Sequence, residues 1–132
     1  MPLEGVVHAL RNIHAALAAD GILVDTQPVS ARPSVACDGV KLGTLDMREW
    51  LATIHAVDEL VAETIAAGLY ELQHMQGFVV TDTYDNGAEC LEMIGGMRGT
   101  RVPRVVSQRL SAATAPVTVR HEVRLRLLRR LM

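Results

Sequence analysis

Aromatic residues are scarce. The 132-residue chain holds one Trp, two Tyr and one Phe, about 3% of its length. Stacking on bases or sugars therefore has little to work with. Cysteine is nearly absent too, with Cys37 and Cys90 isolated from each other. Without a CxxC pair or an export-type leader at the start, where Glu4 precedes any Arg, they read as reduced thiols of a cytoplasmic protein. No window carries 18 consecutive apolar residues, so a membrane-spanning helix is not expected. HExxH is missing, and His8 and His14 stand six apart, off the spacing that shares a helix face. Neither Cys lies in a nucleophile motif. No strand is followed by a Gly-rich turn, and the one glycine cluster, "IGGMRG" (Gly95, Gly96, Gly99), reads as a helix stop and loop.

What is present is an ordinary apolar content of 49% with 21% charged residues, the composition of one globular domain over residues 1–132. The net charge of −2 hides an asymmetry. Residues 1–97 hold four basic residues (Arg11, Arg32, Lys41, Arg48) against fourteen acidic, a net −10. Residues 98–132 hold nine Arg against Glu122, a net +8. Such a tail invites a nucleic-acid reading. The spacing argues otherwise. In "PVTVRHEVRLRLL", Val117, Val119, His121, Val123, Leu125 and Leu127 alternate with Thr118, Arg120, Glu122, Arg124 and Arg126. A period of two is a strand with one apolar and one polar face, whereas a basic helix would space its Arg at three and four. The Arg stripe then lies on a sheet face that carboxylates on a helix or loop cover, and His121 reads as a core histidine.

The other elements follow from local signals. Leu3, Val6, Val7, Leu10, Ile13 and Leu17 line one face of a first helix, with Glu4 in its first turn and Gly21 as its stop. Ile22, Leu23 and Val24 read as a strand buried on both faces, ended by Pro28. "SVACDGVKLG" reads as a hairpin turning at Asp38-Gly39. Asp46 and Glu49 cap a helix from near Met47 to Gly68, with Leu51, Ile54, Val57, Val61 and Ile65 on one face. "LYELQHMQGFVVTDTY" is extended, as two strands bent at Gly77. Asp85 or Asn86 caps the short helix "GAECLEMI", and Pro103 opens another over roughly 103–113.

In this order Leu10, Ile13, Leu17, Gly21 and Leu23 match the "L..I...L...G.L" of the helix before the fifth strand in class I S-adenosylmethionine-dependent methyltransferases. The chain resembles the C-terminal half of that family. The resemblance implies an α/β fold: a partial Rossmann-like sheet, with a parallel strand, antiparallel C-terminal strands and packing helices, in which the last strand inserts beside the fifth. It also implies methyl transfer from S-adenosylmethionine to a small-molecule acceptor. The family's cofactor cradle, a Gly-rich loop and a ribose-binding acid, belongs to its N-terminal half. This chain has no counterpart, so no cofactor is expected to bind it alone and no residue is assigned as a cofactor or metal ligand. Asp25, Gln27, His55 and Tyr84 are the substrate-side candidates near the carboxyl end of the sheet. The expected partner is a second copy of the chain or a complementing methyltransferase half, meeting the edge of residues 22–27 and a first helix whose Leu3, Val6 and Leu10 stay partly exposed. Membrane and nucleic acid are not expected partners. The alternative reading is a non-catalytic binding or oligomerisation module of a small α+β fold.

Overall fold

The computed structural model describes residues 3–131, with the side chains of Leu3, Glu4, Val6 and Val7 excepted. Among the described residues four helices, α1 (Leu3–Ala16), α2 (Arg48–Ala66), α3 (Gly87–Gly95) and α4 (Arg104–Ala112), are interspersed with five strands. The strands are β1 (Ile22–Pro28), β2 (Ser34–Cys37), β3 (Val40–Thr44), β4 (Tyr70–Tyr84) and β5 (Val117–Arg130). They form an α/β fold with one five-stranded sheet of order β1-β5-β2-β3, β4 pairing with β5 as well. The sheet is antiparallel throughout, not a parallel Rossmann-like one. Among the described residues β1 has a single neighbour, β5, where a parallel strand would have parallel partners.

Two compact units share these elements: residues 1–27, 53–77 and 124–132, and residues 28–52 and 78–123. In the first, Leu10, Val61, Tyr70 and Leu128 are the buried centre, with Leu17, Leu23, Val57, Ile65 and Leu69 packed against them. The Tyr70 hydroxyl donates to the Leu10 carbonyl at 2.8 Å, so the ring is buried with its polar end satisfied. Leu10 is buried, against the expectation of partial exposure. The expectations for Leu3, Glu4, Val6 and Val7 lie outside the described side chains. In the second unit, Val35, Leu45, Tyr84, Cys90, Ile94, Val106, Leu110, Val117 and Val119 form the core.

Local chemistry explains the punctuation. Asp38 and Gly39 both take positive φ (51° and 77°), the paired left-handed conformation of a two-residue hairpin turn, and Cys37 faces Val40 across it. Asn86 accepts from the Glu89 N–H at 2.9 Å and caps α3, while Glu89 takes the Asp85 N–H. At the start of α2 the Asp46 carboxylate takes the Arg48 N–H at 3.1 Å and also its guanidinium. β4 is one strand through Gly77, not two. Every residue from Glu71 to Val79 is exposed.

The β1–β5 pairing is fixed at both ends. The Val29 N–H donates to the Glu122 carbonyl (2.9 Å) and the Arg130 N–H to the Gly21 carbonyl (2.8 Å). Counting inward, Leu23 opposes Leu128, Val24 opposes Leu127 and Asp25 opposes Arg126, each pair on one face. The sidedness reverses part of the sequence expectation. Leu128 and Arg126 are buried, whereas Leu125 and Leu127 are only half-buried. Ile22 and Val24, expected to be buried on both sides, are 44% and 57% exposed. Helices cover the Asp25–Arg126 face of the first unit; the Val24–Leu127 face is the more open one.

Candidate functional site

The carboxyl end of β1 carries Asp25 and Gln27, and β5 places Arg126 and Arg124 opposite them by the register above. α2 contributes Asp58 from the same unit. Arg126 donates through Nε and Nη2 to a single oxygen of Asp25, Oδ2, at 2.8 and 2.6 Å. Its Nη2 also lies 3.2 Å from Asp58 Oδ1. Arg124 grips Asp58 with a two-pronged pair, both bonds 2.8 Å. The Gln27 amide donates to the remaining Asp25 oxygen at 3.2 Å. Two carboxylates and two guanidiniums thus close on one another, and charge-assisted bonds of this geometry are the strong ones.

Burial works against ionisation of Asp58, but the Arg124 hydrogen bonds and the nearby positive charges outweigh it and hold the group below its ordinary value. Asp58 in return raises Arg124. A carboxylate held ionised and occupied at both oxygens is a poor general base, which needs a value near the working pH and a free lone pair. The arrangement suits locking β1, α2 and β5 together. The Arg124 Nε is buried with no hydrogen-bond partner.

The sequence candidates divide. Asp25 and Gln27 join the network. His55, exposed on α2 one turn before Asp58, adds to the positive field there. Tyr84 does not take part: it is a core residue of the second unit, and burial pushes its hydroxyl up from the usual range. Sequence reasoning missed Asp58, Arg124 and Arg126 as a group. The Arg stripe was visible, and so was the need for covering carboxylates; which helix supplies them was not.

A cleft of about 590 Å³ elsewhere in the first unit is lined by Ala19, Asp20, Gly68, Arg129, Arg130 and Leu131. Its cations are already engaged: Arg129 with Asp20 and Glu71, and Arg130 with the Leu17 carbonyl. None of the sequence candidates lines it. In the second unit His121 sits 3.4 Å from Asp82, with its Nδ1 buried and unpartnered.

The glycine cluster is a loop after a helix. It follows α3, not a strand, and a β-carbon at Gly99 (φ 74°) would meet the Trp50 backbone at 3.0 Å. Gly99 serves a close loop contact. Among the described residues no group of three His, Cys, Asp or Glu is placed to hold a metal ion, and no helix is long and apolar enough to cross a membrane. Comparison with known families finds no matching family model, and comparison with curated proteins finds no match.

Proposed function

We propose that this chain is a methyltransferase-like domain: the substrate-side half of a class I S-adenosylmethionine-dependent sheet, incomplete for catalysis alone. By resemblance, its relatives pass a methyl group to a small-molecule acceptor. One observation carries the reading. In the first unit β1 and β4 both pair with the same stretch of β5, so the last strand lies antiparallel between them. This arrangement supports the insertion of the last strand beside the fifth that the resemblance implies. On this reading the cofactor cradle would come from another polypeptide segment. Asp25 and Gln27 then stand at the carboxyl end of the strand that borders the acceptor. A second copy or a complementing half is the partner this reading calls for. The two free thiols suit a reducing, cytoplasmic setting.

A second reading, a non-catalytic binding or oligomerisation module, is favoured by the self-satisfied charge network, which leaves Asp25 and Asp58 without a spare role. Calorimetric titration separates the two. The isolated chain should show no S-adenosylmethionine binding tighter than about millimolar, roughly −4 kcal/mol. Mixed with a methyltransferase N-terminal half ending in an exposed fourth strand, it should give saturable binding that neither piece shows alone. Binding by the chain alone refutes incompleteness. A mixture that stays silent favours the module.

A further inference from the structure

We propose that the open edge of β1 is closed by the same edge of a second copy, the two β1 strands running antiparallel about a twofold axis through Val24. The inference deepens the reading of an incomplete sheet but rests only on β1 having one neighbour, so it stands or falls apart from the methyltransferase assignment.

Backbone polarity selects the residues. Val29 and Gly21 bond to β5, and in an antiparallel pair such positions recur every second residue. The odd-numbered residues of β1 therefore turn their N–H and C=O toward β5. Ile22, Val24 and Thr26 turn theirs to the open edge. These three are also the exposed side chains of the strand. The segment has no Lys and no bulge to blunt it, and its Pro28 stands at the very end, outside the stretch to be paired.

Symmetry and charge then select the register. A twofold axis normal to the sheet keeps each side chain on its own face, so it must pass through a residue. Through Val24, Val24 meets its copy and Ile22 meets Thr26 of the second copy. Each of the three edge residues then both gives and takes a backbone bond. Through Asp25, the two Asp25 carboxylates would oppose each other, and like charges directly across a strand pair destabilise it. Through Thr26, Val24 would face Pro28, which has no N–H to give. Of these three registers only the one through Val24 satisfies every edge group without a penalty. The contact is isologous, the commonest kind in soluble oligomers.

Light scattering at micromolar concentration should give twice the 14.4 kDa chain mass. Val24→Lys should return the monomer, because two ammonium groups then face each other at the axis. Met75→Lys, at an exposed position on β4, should leave the dimer intact. A near-isosteric variant removes any dependence on folding of the lysine form. In a Cys37→Ser background, Val24→Cys should cross-link on mild oxidation, since paired Cα atoms lie about 5.5 Å apart and within disulfide range. Ile22→Cys should not, its copies standing about 14 Å apart along the strands. A monomeric parent, a dimer that Val24→Cys does not cross-link, cross-linking at Ile22→Cys, or a dimer lost in Met75→Lys but kept in Val24→Lys would each overturn the proposal.

Discussion

Arg126 and Asp25 sit directly across the β1–β5 pair, and both guanidinium donors of Arg126 converge on one carboxylate oxygen at 2.8 and 2.6 Å. The Arg126 side chain is only 9% exposed. Such a pair costs much to desolvate and is a weak source of net stability, but breaking one side strands a buried charge. Asp25→Ala should therefore lower the unfolding free energy by about 2 kcal/mol, less than for a wholly uncompensated buried charge, because Asp58 Oδ1 still lies 3.2 Å from Arg126 Nη2. Asp25→Leu with Arg126→Met should recover most of that loss, as an apolar replacement often does. Urea denaturation of Asp25→Leu, Arg126→Met and the variant carrying both gives the coupling energy. Additive losses would mean that the contact does not stabilise as a pair.

How this network reads in the sequence shows what a pattern can and cannot carry. Alternation along residues 117–127 gave the strand and its two faces, because side-chain period follows from backbone geometry. It did not give which face a helix covers. That depends on Asp58, which is 66 residues away from Arg124 and sits beside the apolar stripe of α2. Val123, Leu125 and Leu127 looked like the core face, yet Arg126 and Leu128 are the buried pair. Ile22–Val24 misled in the same way. An apolar run signals two-sided burial only when layers pack on both faces of the sheet, and here the face that carries Ile22 and Val24 is left exposed. The hairpin at Asp38-Gly39 and the Asn86 cap were legible because each is decided within four residues, by positive φ or by one side-chain oxygen.

The Asp58–Arg124 pair should also govern acid stability. The folded-state value of Asp58 lies below its ordinary 3.8. A depressed carboxylate contributes stability that is present above the unfolded value and is lost as pH falls through the folded one. The melting midpoint should thus fall as pH drops from about 5 toward 2, and Asp58→Asn should melt lower at neutral pH with a flatter acid limb. An acid limb unchanged in Asp58→Asn would assign the loss to other groups.

Cys90 and Cys37 should differ sharply in reactivity. Cys90 is fully buried, and burial followed by the Glu89 charge pushes its thiol up to about 11. The thiolate is the reacting form, and a buried neutral thiol offers neither charge nor access. Cys37 is half-buried. A chromogenic disulfide reagent at about pH 8 should therefore modify one thiol of the native chain quickly and two in denaturant. Two fast equivalents in the native state would mean that the core around Cys90 opens readily.

Gly87 offers the most direct test of the second unit's packing. It follows the Asn86 cap, opens α3, and donates its N–H to the Ala113 carbonyl at 2.9 Å. A β-carbon there would fall 1.7 Å from the Leu110 carbonyl oxygen at the end of α4. The atom it would strike belongs to the backbone, so no side-chain rotation relieves the clash. α3 and α4 would have to separate, taking Cys90, Ile94, Val106 and Leu110 out of contact in the core. In a helix interior Ala normally gains over Gly by up to about 1 kcal/mol. Here the sign should reverse, with Gly87→Ala destabilising by about 3 kcal/mol, the upper end of the usual overpacking cost. Gly95→Ala is the control. It lies in the last turn of the same helix with nothing within 4 Å of the added carbon, and it should be neutral or slightly stabilising. Thermal unfolding of the two variants beside the parent reads the difference, and equal midpoints for both would show that α3 and α4 do not approach as closely as this geometry requires.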